Sequence, residues 1–129
     1  MPFGVDRVVP IMRIFDEARA REFYLDYLGC TLDWEHRLDA QAPLYMQVSR
    51  GELVLHLSEH HGDGKPGHTV YVAAHGVREL HTELQTRNYR YLDPGLEPSP
   101  GAAGGACVTV HDPFGNCLRI DEREHSRTA

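Results

Sequence analysis

The feature that most constrains the fold is an internal repeat, in which one order of strands and helix occurs twice at an offset of about 60 residues. Each copy reads β-α-β-β-β, with apolar-polar alternation in its strands and apolar residues at helical spacing in its helix. A small sheet can cover one face with its own helix and leaves the other face open. We therefore predict an α+β fold in which two tandem βαβββ modules form a curved mixed sheet, with a concave cleft and helices on the outer face.

The 129 residues suit one compact domain. A turn-rich stretch at 60–67 separates the two copies. We predict module one at about 5–59, a linker at 60–67, module two at about 68–122 and a polar tail at 123–129.

Local signals place the individual elements. In module one we predict a strand at 7–15, a helix that begins at Asp16 and ends at Gly29, a strand at 30–36, and a hairpin of 43–49 with 52–58. In module two we predict a strand at 68–74, a helix at 77–87 followed by Asn88 as its cap, a short strand at 89–92, a loop at 93–105 and a closing hairpin.

The closing hairpin is formed around the turn Asp112-Pro-Phe-Gly-Asn116, which is rich in turn-forming residues. Alternation continues beyond it, so Leu118 and Ile120 point to one side and Cys117, Arg119 and Asp121 to the other. What Arg119 faces therefore becomes the main functional question.

Composition excludes several classes of protein. The net charge of −6 disfavours nucleic acid as a partner and is compatible with a cationic small molecule. No apolar run approaches the roughly 20 residues of a membrane span, and no signal peptide is present, so we predict a cytoplasmic protein without membrane contact. Cys30, Cys107 and Cys117 fit neither a disulfide framework nor a thiolate metal site and are predicted to be buried free thiols.

Several short segments together resemble the vicinal oxygen chelate superfamily, also called the glyoxalase/bleomycin resistance/dioxygenase fold. The resemblance covers nearly the whole chain, and its carriers are Val9 to Met12, Asp16 to Tyr24, Tyr27 to Gly29, Gly76 to Leu80 and Asp112 to Cys117. Val9-Pro-Ile11, Glu22-Phe23 and Gly115-Asn-Cys117 look closest to bleomycin-resistance proteins. The resemblance implies a non-enzymatic homodimer that binds a cationic glycopeptide in clefts between its subunits.

The same resemblance implies where a metal would bind. Enzymes of the superfamily hold a divalent ion at four strand positions, which fall here on Val9, His56, His68 (or Thr69) and Arg119. Valine has no donor atom and arginine has a fixed positive charge and no lone pair, so we predict no metal and no cofactor. If a displaced site exists, His56 and His68 are its candidates.

The open face should bind a planar compound through ring stacking and polar contacts. We predict no catalytic residue and nine ligand-binding residues: Trp34, Tyr45, Gln47, His56, Ser58, Tyr71, Cys107, Thr109 and Arg119. Tyr45 and Tyr71 could equally be core or edge residues. His60 and His61 could belong to a displaced metal site or pocket wall, or to a solvated strand end.

These observations favour non-catalytic binding and sequestration of a small organic molecule, such as an antibiotic of the bleomycin-like class. One departure weakens bleomycin itself as the ligand, because residues 102–106 lack the Trp-Gly that bleomycin binders usually carry there. The alternative is a metal-dependent glyoxalase-type lyase or dioxygenase with a displaced His-based site. A third possibility is a housekeeping or regulatory member that binds an unrelated metabolite.

Overall fold

The computed structural model describes residues 2–87 and 93–123. Its first module contains β1 (Ile11–Arg13), α1 (Glu17–Arg21), a π-helical segment (Glu22–Tyr27), β2 (Thr31–His36), β3 (Tyr45–Arg50) and β4 (Leu53–Ser58). The second contains β5 (Thr69–Ala74), α2 (Val77–Arg87), β6 (Leu96–Pro98), β7 (Ala106–His111) and β8 (Cys117–Glu122).

The strands form two four-stranded mixed sheets with the same topology. The first sheet has the order β1-β4-β3-β2 and the second β5-β8-β7-β6. In each sheet the first strand runs parallel to the last strand of its module, and the other pairs are antiparallel. The predicted α+β fold of two tandem modules is confirmed.

The first helix begins and ends where its sequence signals place it. The Asp16 carboxylate accepts a hydrogen bond from the Arg19 backbone N–H at 2.9 Å, which caps the helix. The helix widens into the π-helical segment, where the Leu28 N–H donates to the Phe23 carbonyl at 2.8 Å. Gly29 then takes a φ of 82°, a conformation that side chains with a Cβ rarely adopt.

One apolar core lies beneath the helices of both modules. It contains Phe23, Tyr24 and Leu28 from the first helical region and Leu84 from α2, all almost completely buried. The strands contribute every second residue, such as Leu55 and Leu57 in β4 and Leu118 and Ile120 in β8. The intervening residues of the same strands are thereby left on the opposite, open face.

The turn between β7 and β8 joins the two modules. Its Asp112 carboxylate accepts hydrogen bonds from the Tyr24 hydroxyl at 2.6 Å and from the Asn116 side-chain amide at 2.8 Å. Asn116 also donates to the Arg13 carbonyl at the end of β1, and the Phe15 and Phe114 rings meet edge to face. Asp112 has no basic partner among the described residues, and hydrogen bonds satisfy its buried carboxylate instead.

Some elements differ from the sequence prediction. The first strand covers Ile11–Arg13 rather than 7–15, because Pro10 has no N–H with which to extend the ladder and contributes only its carbonyl, to His56. The predicted loop at 93–105 contains the edge strand β6. The predicted cap at Asn88, the strand at 89–92 and the end of the polar tail lie outside the described residues.

The prediction of buried free thiols is confirmed for all three cysteines. Burial raises the pKa of Cys30 to about 11, so that its thiol stays protonated near neutral pH. Neither helix of the described residues is sufficiently long and apolar to cross a membrane.

Candidate functional site

Three antiparallel strands place aromatic and polar side chains side by side on the open face of the first sheet. Trp34 of β2 pairs with Gln47 of β3, and Gln47 pairs in turn with His56 of β4. Tyr45 lies two residues before Gln47 and shares its face. We call this surface, made of Trp34, Tyr45, Gln47 and His56, the aromatic face.

The rings of the aromatic face pack closely against one another. Trp34 is stacked on Tyr45 with a centroid separation of 6.0 Å and an interplanar angle of 10°. His56 meets both rings edge-on, at 5.3 Å from Trp34 and 5.1 Å from Tyr45. Trp34 is nevertheless 43% exposed, so part of the indole remains accessible to a ligand.

A chain of hydrogen bonds orients the polar atoms of this face. The Asp33 carboxylate can only accept, so the Gln47 amide nitrogen donates to it at 3.0 Å and turns the Gln47 oxygen towards His56. His56 Nε2 lies 3.0 Å from that oxygen and must donate, which leaves Nδ1 to accept from the Tyr45 hydroxyl at 2.7 Å. A neutral imidazole with its proton on Nε2 satisfies both contacts of the His56 ring.

The electrostatic surroundings favour the same state. Partial burial, together with the positive charge of Arg7, lowers the pKa of His56 below its ordinary value. Hydrogen bonds from Gln47 and Ser49 lower the pKa of Asp33, which keeps the acceptor at the end of the chain ionised. Partial burial, with a smaller contribution from Asp63, raises the pKa of Tyr45, which keeps its hydroxyl protonated.

The residues present do not fit the metal centre that the resemblance implies. Both ring nitrogens of His56 are engaged, because Nε2 carries a proton and Nδ1 accepts a hydrogen bond. Neither nitrogen therefore offers a free lone pair to a metal ion. Thr69 pairs with Cys117 and Tyr71 with Arg119, so all of these residues share one face of the sheet. Thr69, rather than the neighbouring His68, therefore lies on the face of Arg119. Within residues 2–87 and 93–123, no group of three or more His, Cys, Asp and Glu side chains could hold an ion.

The open face of the second sheet has a different character. Tyr71, Arg119 and Thr109 lie in one row across β5, β8 and β7. Tyr71 is 57% exposed, and Arg119 is exposed and forms no hydrogen bond or ion pair with a described residue. This face therefore presents a cation beside an aromatic ring, whereas the aromatic face presents neutral side chains.

Beneath that row lies Asp121, whose importance was not recognised from the sequence. It is fully buried and accepts hydrogen bonds from the Tyr71 hydroxyl at 2.5 Å and the Ser99 hydroxyl at 2.6 Å. A Cβ at Gly101 would come within 3.0 Å of the carboxylate, so the glycine permits this approach. Strand alternation predicts that Asp121 shares the face of Arg119. It does not predict the contact with Ser99, because Ser99 lies in an irregular loop.

The remaining predicted residues lie at the margins of these faces. Ser58 is fully buried and donates to Asp63 at 2.8 Å, and Cys107 is almost buried opposite Asp121. The His60 ring lies 6.2 Å from Tyr45, whereas His61 is exposed. The structure thus brings Trp34, Tyr45, Gln47 and His56 together, and separately Tyr71, Thr109 and Arg119.

Comparisons with known proteins place this architecture in a family. A family model described as "Glyoxalase superfamily protein" matches residues 2–127. A search of curated proteins gave no significant match.

Solved structures share the fold at low sequence identity. A bleomycin-binding protein from Streptomyces verticillus, complexed with copper(II)-bleomycin, is 26% identical with a TM-score of 0.61, over 94% of this chain and 98% of that one. A second bleomycin-binding protein in complex with bleomycin is 21% identical with a TM-score of 0.64, over 93% and 100% of the two chains. TnmS3, an antibiotic binding protein from Streptomyces sp. CB03234, is 18% identical with a TM-score of 0.66, over 94% and 99%.

The match over residues 2–127 and the duplicated four-stranded modules agree with the resemblance noted in the sequence. This chain belongs to the glyoxalase superfamily.

Proposed function

We propose that this protein binds and sequesters a small organic molecule without transforming it, and that its ligand is an antibiotic of the bleomycin-like class. The observation that carries the proposal is the aromatic face, where Trp34 and Tyr45 are stacked and the indole is still 43% exposed. Such a surface can hold a planar ring by stacking, and the hydrogen-bonded His56 keeps its own ring in a defined orientation. The names of several structural neighbours, which describe binding of bleomycin or another antibiotic, support the same class of function.

The proposal includes the assembly. We propose a homodimer with binding clefts between subunits, supported by Phe3, Val5 and Phe15, which are apolar side chains 91%, 63% and 55% exposed. A monomeric mass in light scattering at micromolar concentration would contradict it. A cytoplasmic location is supported by three cysteines that are free rather than paired.

Trp34 is the single tryptophan of the chain, so intrinsic fluorescence reports directly on the aromatic face. We expect saturable quenching by metal-free bleomycin or by another antibiotic that carries a planar ring system, and none by glutathione, which lacks one. The ligand should be recovered unchanged after incubation, as chromatography would show. Chemical conversion of the ligand, or the absence of saturable quenching by any of these antibiotics, would contradict the proposal.

The contribution of the indole can be measured by calorimetry. Trp34→Ala should weaken binding of the quenching ligand by about tenfold or more, because buried aromatic anchors contribute on the order of 2 kcal/mol to binding. Leu38→Ala is the matched control, since Leu38 is 84% exposed in the following loop and is not part of the aromatic face. Equal loss of affinity in both variants would show that the ligand does not bind at Trp34.

A further inference from the structure

A groove of about 730 Å³ runs between the two sheets and contains none of the residues of the aromatic face. One wall is formed by the segment before β1 and by the β3–β4 hairpin, and the other by the edge strand β5. The lining residues are Arg7, Val8, Pro10, Arg50, Glu52, Leu53, Val54, Val70, Tyr71, Val72, Ala73, Ala74, His75 and Arg123. The volume lies within the range of roughly 300–1,000 Å³ that is typical of small-molecule sites.

The walls of the groove are largely apolar. Val8 is 85% exposed, and Val54, Val70 and Val72 are only half-buried, so branched aliphatic side chains from both walls remain open to solvent. Covering them with the apolar part of a ligand would be favourable by about 25 cal/mol for each Å² removed from water. The groove therefore suits a molecule with a hydrocarbon body.

The charges around the groove are mainly positive, although the chain as a whole has a net charge of −6. Arg50 is committed to Glu83, with two hydrogen bonds of 2.8 and 2.9 Å. Arg7 and Arg123 are exposed, and neither guanidinium forms a hydrogen bond or an ion pair within residues 2–87 and 93–123. Glu52 is the single carboxylate in the lining, so the groove has two guanidinium groups available for an anion.

We propose that this groove is a second binding site, which takes a small amphipathic carboxylate with its hydrocarbon part on the valines and its carboxylate on Arg7 and Arg123. The planar guanidinium group matches a carboxylate geometrically, with two parallel hydrogen bonds. A cationic ligand would instead be repelled by the positive charges of Arg7 and Arg123. The inference goes beyond the proposed function because it uses no ring of the aromatic face.

Three probes of one chain length, octanoate, octan-1-ol and octylammonium, differ only in their head group. By calorimetry on the full-length protein, octanoate should bind most tightly and octylammonium most weakly. Arg7→Gln and Arg123→Gln should each weaken octanoate binding by about two- to fivefold, the effect of removing one partner of a solvent-accessible ion pair. The double variant should bind octanoate no better than octan-1-ol.

Arg19→Gln is the matched control, because Arg19 is an exposed arginine of α1 that does not line the groove. It should leave octanoate binding unchanged, as should Trp34→Ala. Equal affinity for octanoate and octan-1-ol, no saturable octanoate binding, or full affinity in the double arginine variant would overturn the proposal. Loss of octanoate binding in Trp34→Ala would place the carboxylate on the aromatic face instead and would also overturn it.

Discussion

At the scale of single residues, His56 shows how a protonation state follows from its neighbours. In the neutral ring Nε2 donates to Gln47 and Nδ1 accepts from Tyr45, and a second proton on Nδ1 would force the bond with the Tyr45 hydroxyl to reverse its direction. Partial burial and Arg7 act in the same direction and lower the pKa of His56. The neutral imidazole is therefore a stabilising part of the aromatic face.

The lowered pKa of His56 makes the stability of the folded protein depend on pH in a defined direction. Since the folded-state pKa lies below the ordinary value of about 6.5, the unfolded chain takes up a proton first as the pH falls. The stability associated with neutral His56 should be fully present above about pH 6.5 and lost as the pH falls towards the folded-state pKa. Denaturant unfolding between pH 7.5 and 5 should show a steeper loss in the wild type than in His56→Gln.

The exposed His61 provides the control for that comparison. His61→Gln should retain the wild-type dependence, because it removes an imidazole that lies outside the hydrogen-bonded chain of the aromatic face. Parallel stability curves for wild type and His56→Gln would show that the ring does not have the neutral state derived from its contacts.

Strand alternation was sufficient to place Arg119, Thr109 and Tyr71 on one face, because a period of two residues sets direction without knowledge of partners. The same reasoning could not find the contact of Asp121 with Ser99, which joins a strand to an irregular loop. Nor could it settle whether His68 or Thr69 shares the face of Arg119, since a shift of one residue in register reverses every side chain.

At the scale of elements, the β7–β8 turn and the first helical region depend on each other. Tyr24 and Asp112 are both buried, and their hydrogen bond of 2.6 Å joins residues far apart in the chain. Tyr24→Phe should lower the free energy of unfolding by about 1–3 kcal/mol, since it leaves part of a buried carboxylate without its partner. Thermal or denaturant unfolding measures this directly.

Tyr45→Phe makes the same chemical change at a half-buried position, where the lost partner is a neutral imidazole. It should cost less than Tyr24→Phe, because water can replace the hydroxyl more readily there. A Tyr24→Phe protein as stable as the wild type would mean that the turn is not held through this bond.

Elements defined by local chemistry were predictable. The bounds of α2, the capping role of Asp16 and the β3–β4 hairpin follow from periodicity, capping and turn residues. Elements that form only through contacts with distant residues were not predictable from the sequence. Strand β6 forms only because β7 lies beside it, and the π-helical segment has no local signature in the residues around Phe23.

At the scale of the whole molecule, electrostatics must be considered locally. The net charge of −6 is compatible with a cationic ligand, yet Arg7 and Arg123 concentrate positive charge along the groove between the sheets. The Debye length of about 8 Å at physiological salt limits the reach of distant surface charges. The proposed carboxylate site therefore does not conflict with the acidic composition.

The chemistry of the side chains on the open faces determines which kind of ligand these faces can bind. At the four positions where the resemblance to the superfamily would place a metal ion, the chain has a valine, a fully hydrogen-bonded imidazole, a threonine and an arginine. Beside them lie the stacked rings of Trp34 and Tyr45. We therefore attribute ligand affinity to ring stacking and hydrogen bonds rather than to coordination by a metal.

The role of a metal ion is tested most directly by calorimetry with the metal-free ligand that quenches Trp34. The protein is titrated once as purified and once after exhaustive dialysis against EDTA, and the two dissociation constants are compared. We expect the same dissociation constant in both cases, because no step of binding requires an ion. A loss of affinity after chelation that divalent zinc or manganese restores would contradict the account.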